Sequence, residues 1–222
     1  ANTINDVING SCACVGIQTI GSGMGAQLLP GNSTCATQEI SVSGCGGQNS
    51  LTYDGRVYDL VEIGGQCWFA DNLATDQYRN GDPIPTSLSS SVWQSTNQGA
   101  CATYNDDPMN ESTYGKLYNW YAVAGIYDSE SLFNPSLRKK LAPNGYRIPT
   151  DEEFTALTDC LGGIDIAGGK MKETGTSHWN SPNTGATNSS GFTGLPGGSR
   201  VSSNGAFAGN GIRRGGYWWS YS

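Results

Sequence analysis

Hard cations need oxygen ligands, and two stretches of this chain supply them densely. "YNDDPMNES" (104–112) places Asp106, Asp107 and Asn110 within five residues, and "WNSPNTGATNSSG" (179–191) carries three Asn among Ser and Thr. Calcium takes six to eight oxygens from carboxylates, amides and carbonyls. Asp106, Asp107 and Asn110 are therefore the candidate metal ligands, with calcium the candidate cofactor. The competing reading is local: Asn and Asp side chains bond their own backbone in Asx turns. Catalytic chemistry has less to work with. His178, in "TSHWNSPN", is the single histidine, so any Ser/His/Asp or Cys/His mechanism would have to use it. Its plain alternative is a loop residue beside a packed Trp179. The carboxylate pair Glu152/Glu153 falls in the first turn of a helix, where acidic residues complement the dipole. No residue is assigned a catalytic role, and the chain reads as a non-enzyme.

Seven cysteines, Cys12, Cys14, Cys35, Cys45, Cys67, Cys101 and Cys160, form no C-x-x-C pair. With one histidine, that argues against structural zinc and for disulfides in an oxidising compartment. Four lie within residues 12–45, so two local bridges are expected there, and the odd count leaves one thiol without a partner in the chain. Trp93, in the polar run "SSVWQST", is read first as a staple that anchors the loop. Its sharper alternative is an exposed aromatic that stacks on a sugar face or fills a partner's pocket.

The elements that hold these residues follow from composition. The chain has 222 residues, net charge −7, 32 glycines and only 14% charged residues. That mix suits a loop-rich extracellular fold. Its twelve Lys and Arg form no long run, which argues against nucleic acid as a partner. No apolar stretch reaches the ~20 residues of a membrane span. The opening "ANTIND" reads as a mature terminus after cleavage of a leader. Sequons occur at Asn32, Asn110 and Asn188.

Residues 1–48 contain no Trp, Tyr, Phe, Lys or Arg and are expected to form a small disulfide-containing β appendage ending in a "GCGGQNS" linker. Residues 49–222 form the main domain. There "TYDGRVYDLVEI" is expected as one strand, "GGQ" as a turn and "CWFADNL" as the returning strand. Residues 75–113 read as loop. "TYGKLYNWYAVAG" (113–125) has Leu117, Trp120, Tyr121 and Ala124 at helical spacing. "PTDEEFTALTDCLGG" (149–163) is the clearest helix: Thr150 caps, Glu153 completes a capping box, Gly162 stops it, and Phe154, Leu157, Cys160 and Leu161 form its buried stripe. Residues 164–222 read as short strands and turns. The expectation is an α+β domain with two helices.

The ordered motifs "YDLVEIGGQCWFADNL", "YRNGDPIP", "TYGKLYNWYAV", "APNGYRIPTDEEFTALTDCLGG", "AGGKMKETGTSHWNSPNTGATNSSGFTGLPGGSR" and "GGYWWS" closely resemble the Fibrobacter succinogenes major paralogous domain family, over roughly residues 51–222. That family is similar to C-type-lectin-like folds and, distantly, to the formylglycine-generating-enzyme fold, and is common on secreted and surface-attached bacterial proteins, especially in Bacteroidetes. Two departures stand out. Ala142 replaces a cysteine that relatives carry before their "GYRIP"-like element, and relatives continue past "YWWS" into closing strands. The resemblance therefore implies that Tyr217–Ser220 is a core strand, with Trp218 and Trp219 buried on opposite sides, whose edge is covered by further residues or by another chain. The late cysteine pair of the copper-dependent relatives is absent here, as is the Trp-Asn-Asp sugar motif of C-type lectins. In related folds the stretch matching residues 198–218 displays ligand contacts, which makes Arg200, Phe207, Arg213 and Arg214 the candidate ligand-binding residues beside Trp93. The expected function is a non-catalytic secreted or cell-surface module that binds a glycan or protein. The alternative is a subunit of an extracellular fibre that self-associates through strand pairing by residues 1–48 and the C-terminal edge.

Overall fold

The computed structural model describes Ile17–Gln18, residues 44–209 and residues 211–221. In chain order the elements are β1 (Ile17–Gln18), β2 (Ser50–Tyr53), β3 (Arg56–Ile63), β4 (Gln66–Phe69), α1 (Ser90–Ser95), β5 (Cys101–Ala102), α2 (Pro108–Tyr114), β6 (Leu117–Tyr118), α3 (Trp120–Ala124), α4 (Ser129–Phe133), β7 (Tyr146–Arg147), α5 (Asp151–Cys160) and α6 (Ile164–Met171). Six helices and short antiparallel strands thus make a mixed α and β fold. Apart from Ile17–Gln18 and residues 44–48, the appendage expected over residues 1–48 lies outside the described residues, as do Cys12, Cys14 and Cys35.

The main sheet runs β2-β3-β4-β1-β7, with antiparallel pairing throughout. The single strand expected over 52–63 is two. Asp54 and Gly55 both take positive φ, 50° and 72°, and fold β2 back on β3. Such two-residue turns match the right-handed twist of the strands they join, and Asp-Gly is among the pairs that favour them. Gly64 and Gly65 repeat the device between β3 and β4. On β4, Cys67, Trp68 and Phe69 are all buried, because both faces of the sheet are covered. Trp68 packs on Phe154 of α5 and on Phe192, and Phe69 packs on Tyr58 and Tyr146.

Cys45, in the stretch expected to be a linker, is buried and disulfide-bonded to Cys67. This corrects the expectation that Cys45 pairs locally within residues 12–45. Gly44 N donates to the Glu62 carboxylate and Leu60 N to Asn49 O, so residues 44–49 are fastened along β3. Cys160 is also disulfide-bonded.

Helix α5 forms as expected, with the Thr150–Glu153 capping box complete. The helix expected over 113–125 does not form as one piece. Gly115 takes φ 68°, and a Cβ there would stand 2.7 Å from Leu73 O. The chain turns at that point, Leu117 and Tyr118 enter β6 beside β5, and Asn119 caps the short α3 by accepting from Ala122 N. Helical spacing at Leu117 and Trp120 arises from a strand followed by a capped turn. Residues 75–113, expected as loop, hold α1, β5 and α2.

Past α6 the chain runs through turns and isolated bridges: Lys172 with Gly194, Gly197 with Ile212 and Arg200 with Phe207. Among the described residues Tyr217–Ser220 is no strand of the two sheets, although Trp218 forms an isolated bridge. Trp218 and Trp219 are half-buried, yet their rings do part company. Trp218 meets Phe192 and donates to Asn72 Oδ1; Trp219 meets Trp120 and donates to Tyr118 O.

Candidate functional site

Three of the five ligand candidates converge in one stack. The Arg200 guanidinium lies 4.3 Å from the Trp93 ring centroid and 4.5 Å from that of Phe207. Tyr104 extends the stack by packing on Phe207 at 5.4 Å. Arg200 Nε donates to Gly205 O and Nη2 to Leu88 O, while Nη1 is buried without a partner among the described residues. Trp93 is 4% exposed and Arg200 1%, so Trp93 is the loop staple and not an exposed ligand contact, and the expected exposure of Arg200 is corrected. The physical reason is mutual. Helix α1 begins at the Ser89 cap and points Trp93 inward, and the bridge between Arg200 and Phe207 closes the guanidinium against that ring. Cation–π attraction strengthens where the cation is shed of water. Burial pulls the Arg200 pKa below the usual arginine value, and Asp106 opposes that pull. Phe207 is half-buried in the same stack, so these three residues fasten the 88–95 segment to the 200–207 turn.

Arg213 and Arg214 go elsewhere. They line an open polar cleft of about 520 Å³ with Lys172, Trp179 and the segment Asn180–Asn183. Arg213, at φ 66°, donates to Thr176 O, Ser177 O and Asn180 Oδ1, and Asn180 N donates back to Arg213 O. All three acceptors of Arg213 are neutral, so its position is fixed while its charge is left over. Lys172 Nζ stands 4.5 Å from the Trp179 ring centroid, and Trp179 Nε1 donates to Gly194 O. Arg214 is exposed. None of these three cations forms an ion pair among the described residues.

Close by, His178 Nδ1 and Glu173 Oε1 are 2.7 Å apart, and the imidazole meets the Tyr114 ring edge-on. Burial raises the Tyr114 hydroxyl's pKa, and Arg213 opposes the rise. The Glu173–His178 pair braces the rim, and no Ser or Cys among the described residues is bonded to His178.

The cation candidates serve the backbone of their own loop. Asp107 caps α2 by accepting from Met109 N, Asn110 Nδ2 donates to Tyr104 O, and Asp106 is exposed at φ 54°. Among the described residues no group of three or more His, Cys, Asp or Glu is placed to hold a metal ion. No described helix is long and apolar enough to cross a membrane.

Sequence reasoning missed Lys172 as a member of the basic cleft. Nothing in "GGKMKETG" marks it, because its approach to Arg213 depends on the Lys172–Gly194 bridge and the Asn180–Arg213 bonds.

The family profile of the Fibrobacter succinogenes major domain matches residues 61–222. The chain belongs to this family. The basic cleft and the Trp93–Arg200–Phe207 stack lie within the matched Fibrobacter succinogenes major domain, whereas β2 and Cys45 precede it. No curated protein and no solved structure matches the chain.

Proposed function

We propose that the chain is a non-catalytic, secreted or cell-surface binding module with a C-type-lectin-like fold, and that its basic cleft holds an acidic glycan. One observation carries this reading. In a chain of net charge −7, Lys172, Arg213 and Arg214 gather at one open cleft without carboxylate partners among the described residues. Clefts of one sign focus field lines and raise the local concentration of oppositely charged ligand. Guanidinium groups pair bidentately with carboxylate and sulfate. The exposed Asn180 and Ser181 side chains add hydrogen-bonding capacity suited to sugar hydroxyls. The Cys45–Cys67 bridge supports an oxidising, extracellular location.

A glycan array with uronic-acid, sialylated, sulfated and neutral members tests the reading, run with and without calcium. Signal is expected on acidic members only, falling as salt rises, and falling further in Arg214→Ala. Uniform silence, or equal signal on neutral glycans, overturns it. Retention by acidic peptides alone transfers the cleft to a protein ligand.

A second reading, a subunit of an extracellular fibre, draws support from β1. This short strand from the N-terminal segment sits between β4 and β7 of the main sheet. An equivalent strand from another copy would pair there in the same way. Size-exclusion chromatography with electron microscopy decides it: a strict monomer at every concentration rejects the fibre.

A further inference from the structure

A second cleft, of about 270 Å³, is built differently from the first. Its floor is aliphatic: Val123, Leu141 and Ile148 are all core residues that reach it from below. Tyr221 forms one wall, held by its backbone N–H on Pro149 O and by its ring against Trp120. Four cations stand at the rim, Arg79, Lys139, Lys140 and Arg147.

The charge balance at that rim is uneven. Lys139 is paired with Asp82 at 2.9 Å and lies over the Tyr127 ring, and Arg147 is paired with Glu153. Arg79 has no carboxylate partner among the described residues: its Nε donates to Ala142 O and its Nη2 to Tyr146 O. Those carbonyls orient the guanidinium without neutralising it. Lys140 is exposed and forms no ion pair among the described residues. Two positive charges therefore remain above an apolar floor, in a chain that is acidic overall.

We infer that this cleft is a binding site for a small organic anion: one carboxylate carried on a short apolar body. The carboxylate lies between Arg79 and Lys140, and the apolar body lies on Val123, Leu141 and Ile148 against Tyr221. At about 270 Å³ the cleft is slightly smaller than the roughly 300–1,000 Å³ usual for ligand pockets, which limits it to a small ligand. It accommodates one ring or one branched alkyl group with a short tether. The ligand class differs from that of the polar cleft at Arg213, which has no aliphatic floor.

The test titrates 3-phenylpropionate into the whole chain, followed by amide chemical shifts and by calorimetry. Acetate and 3-phenylpropionamide are run in parallel. Saturable binding is expected for 3-phenylpropionate, with shifts concentrated at residues 123–124, 141–142 and 147–148. Each parallel probe is expected to bind about tenfold more weakly, one lacking the apolar body and the other the charge. Lys140→Gln removes an exposed charge without disturbing the core and is expected to weaken binding about two- to fivefold, the range for exposed charge pairs. Arg214→Ala is expected to leave it unchanged, which separates this site from the glycan reading. Equal binding of the amide overturns the proposal, since contact would then be merely apolar. Equal binding of acetate overturns it as an ion site only. Absence of saturation, or shifts centred away from these residues, overturns it as well.

Discussion

Replacing Arg200 separates a structural cation from a ligand-binding one. Arg200→Met keeps most of the side-chain volume between the Trp93 and Phe207 rings but removes the charge. It deletes the bonds from Nε to Gly205 O and from Nη2 to Leu88 O. Each hydrogen bond from a charged donor contributes about 1.5–3 kcal/mol. Each cation–π contact adds about 0.5–2 kcal/mol. The gross loss is thus about 4–10 kcal/mol. Against it stands the relief of a buried guanidinium whose Nη1 has no partner among the described residues, and desolvation of a buried ion costs several kcal/mol. The difference is a net loss of about 2 kcal/mol. For a chain of this size ~1 kcal/mol shifts Tm by about 2–4 °C, so Tm should fall by about 4–8 °C. Arg200→Ala also leaves a void between two rings and should roughly double the fall. Differential scanning calorimetry measures both, and glycan binding is measured in parallel well below Tm. Binding should persist, because Arg200 does not reach solvent. Unchanged Tm with lost binding would refute the reasoning and return Arg200 to the ligand contacts.

Three further outcomes follow from the same geometry. Gly205→Ala should destabilise the stack by more than about 2 kcal/mol in urea titration, since φ there is 68° and the added Cβ would stand 1.8 Å from Ser90 O. Replacing Cys45 and Cys67 together by Ser opens a loop with sequence separation 22, and loop-closure entropy sets the cost at about 3 kcal/mol, visible as a lower urea midpoint. Cys101 is free and buried, and burial pushes its thiol up to about 12 from an ordinary 9.0. A raised pKa means that the folded chain keeps a proton which the unfolded chain gives up. Its contribution is therefore intact below pH 9 and lost between pH 9 and about 12, by about 1–2 kcal/mol at pH 10.5. Tyr53, raised to about 12 mainly by burial, adds to the same alkaline loss. Urea midpoints at pH 7 and 10.5 measure the loss, and Cys101→Ala should reduce it. Mass mapping after alkylation should find Cys101 unmodified until the chain unfolds.

Those features that the sequence disclosed were local ones. The α5 capping box, the Gly64–Gly65 turn and the buried face of Phe154 and Leu157 each depend on residues within a few positions of one another. Expectations failed or stayed open where a nonlocal partner decided the outcome. Gly115 breaks the 113–125 periodicity because the backbone of Asn72 and Leu73 lies against it, and Trp93 turns inward because Arg200 waits 107 positions later. The polar loop around Trp93 left both exposure and anchoring open, and the structure decides for the anchor, with Ser89 as the helix cap. Cys45 reaches past its nearer neighbours to Cys67 because residues 44–49 run beside β3 and bring the two sulfurs together.

Arg200, Arg213 and Arg214 show why residue type alone could not locate a binding site. All three fall in one stretch of fifteen positions and read alike in the sequence. What separates them is the partner each finds. Arg200 is enclosed by two rings and two carbonyls, so its charge is spent inside the protein. Arg213 also donates to neutral oxygens, but it does so at the wall of an open cleft, where the unneutralised charge is not enclosed by the protein. Arg214 beside it is exposed, and Lys172 adds a third positive group from a distant part of the chain. The same rule picks Arg79 and Lys140 out of the four cations around the second cleft, because Asp82 and Glu153 have already neutralised Lys139 and Arg147. Among the described residues only Lys116, Lys139 and Arg147 pair with carboxylates, so an unpaired cation is informative only where several meet at one cavity. The two places where such cations gather at an open cavity are where binding should be sought, one by charge and hydrogen bonds, the other by charge and an apolar floor.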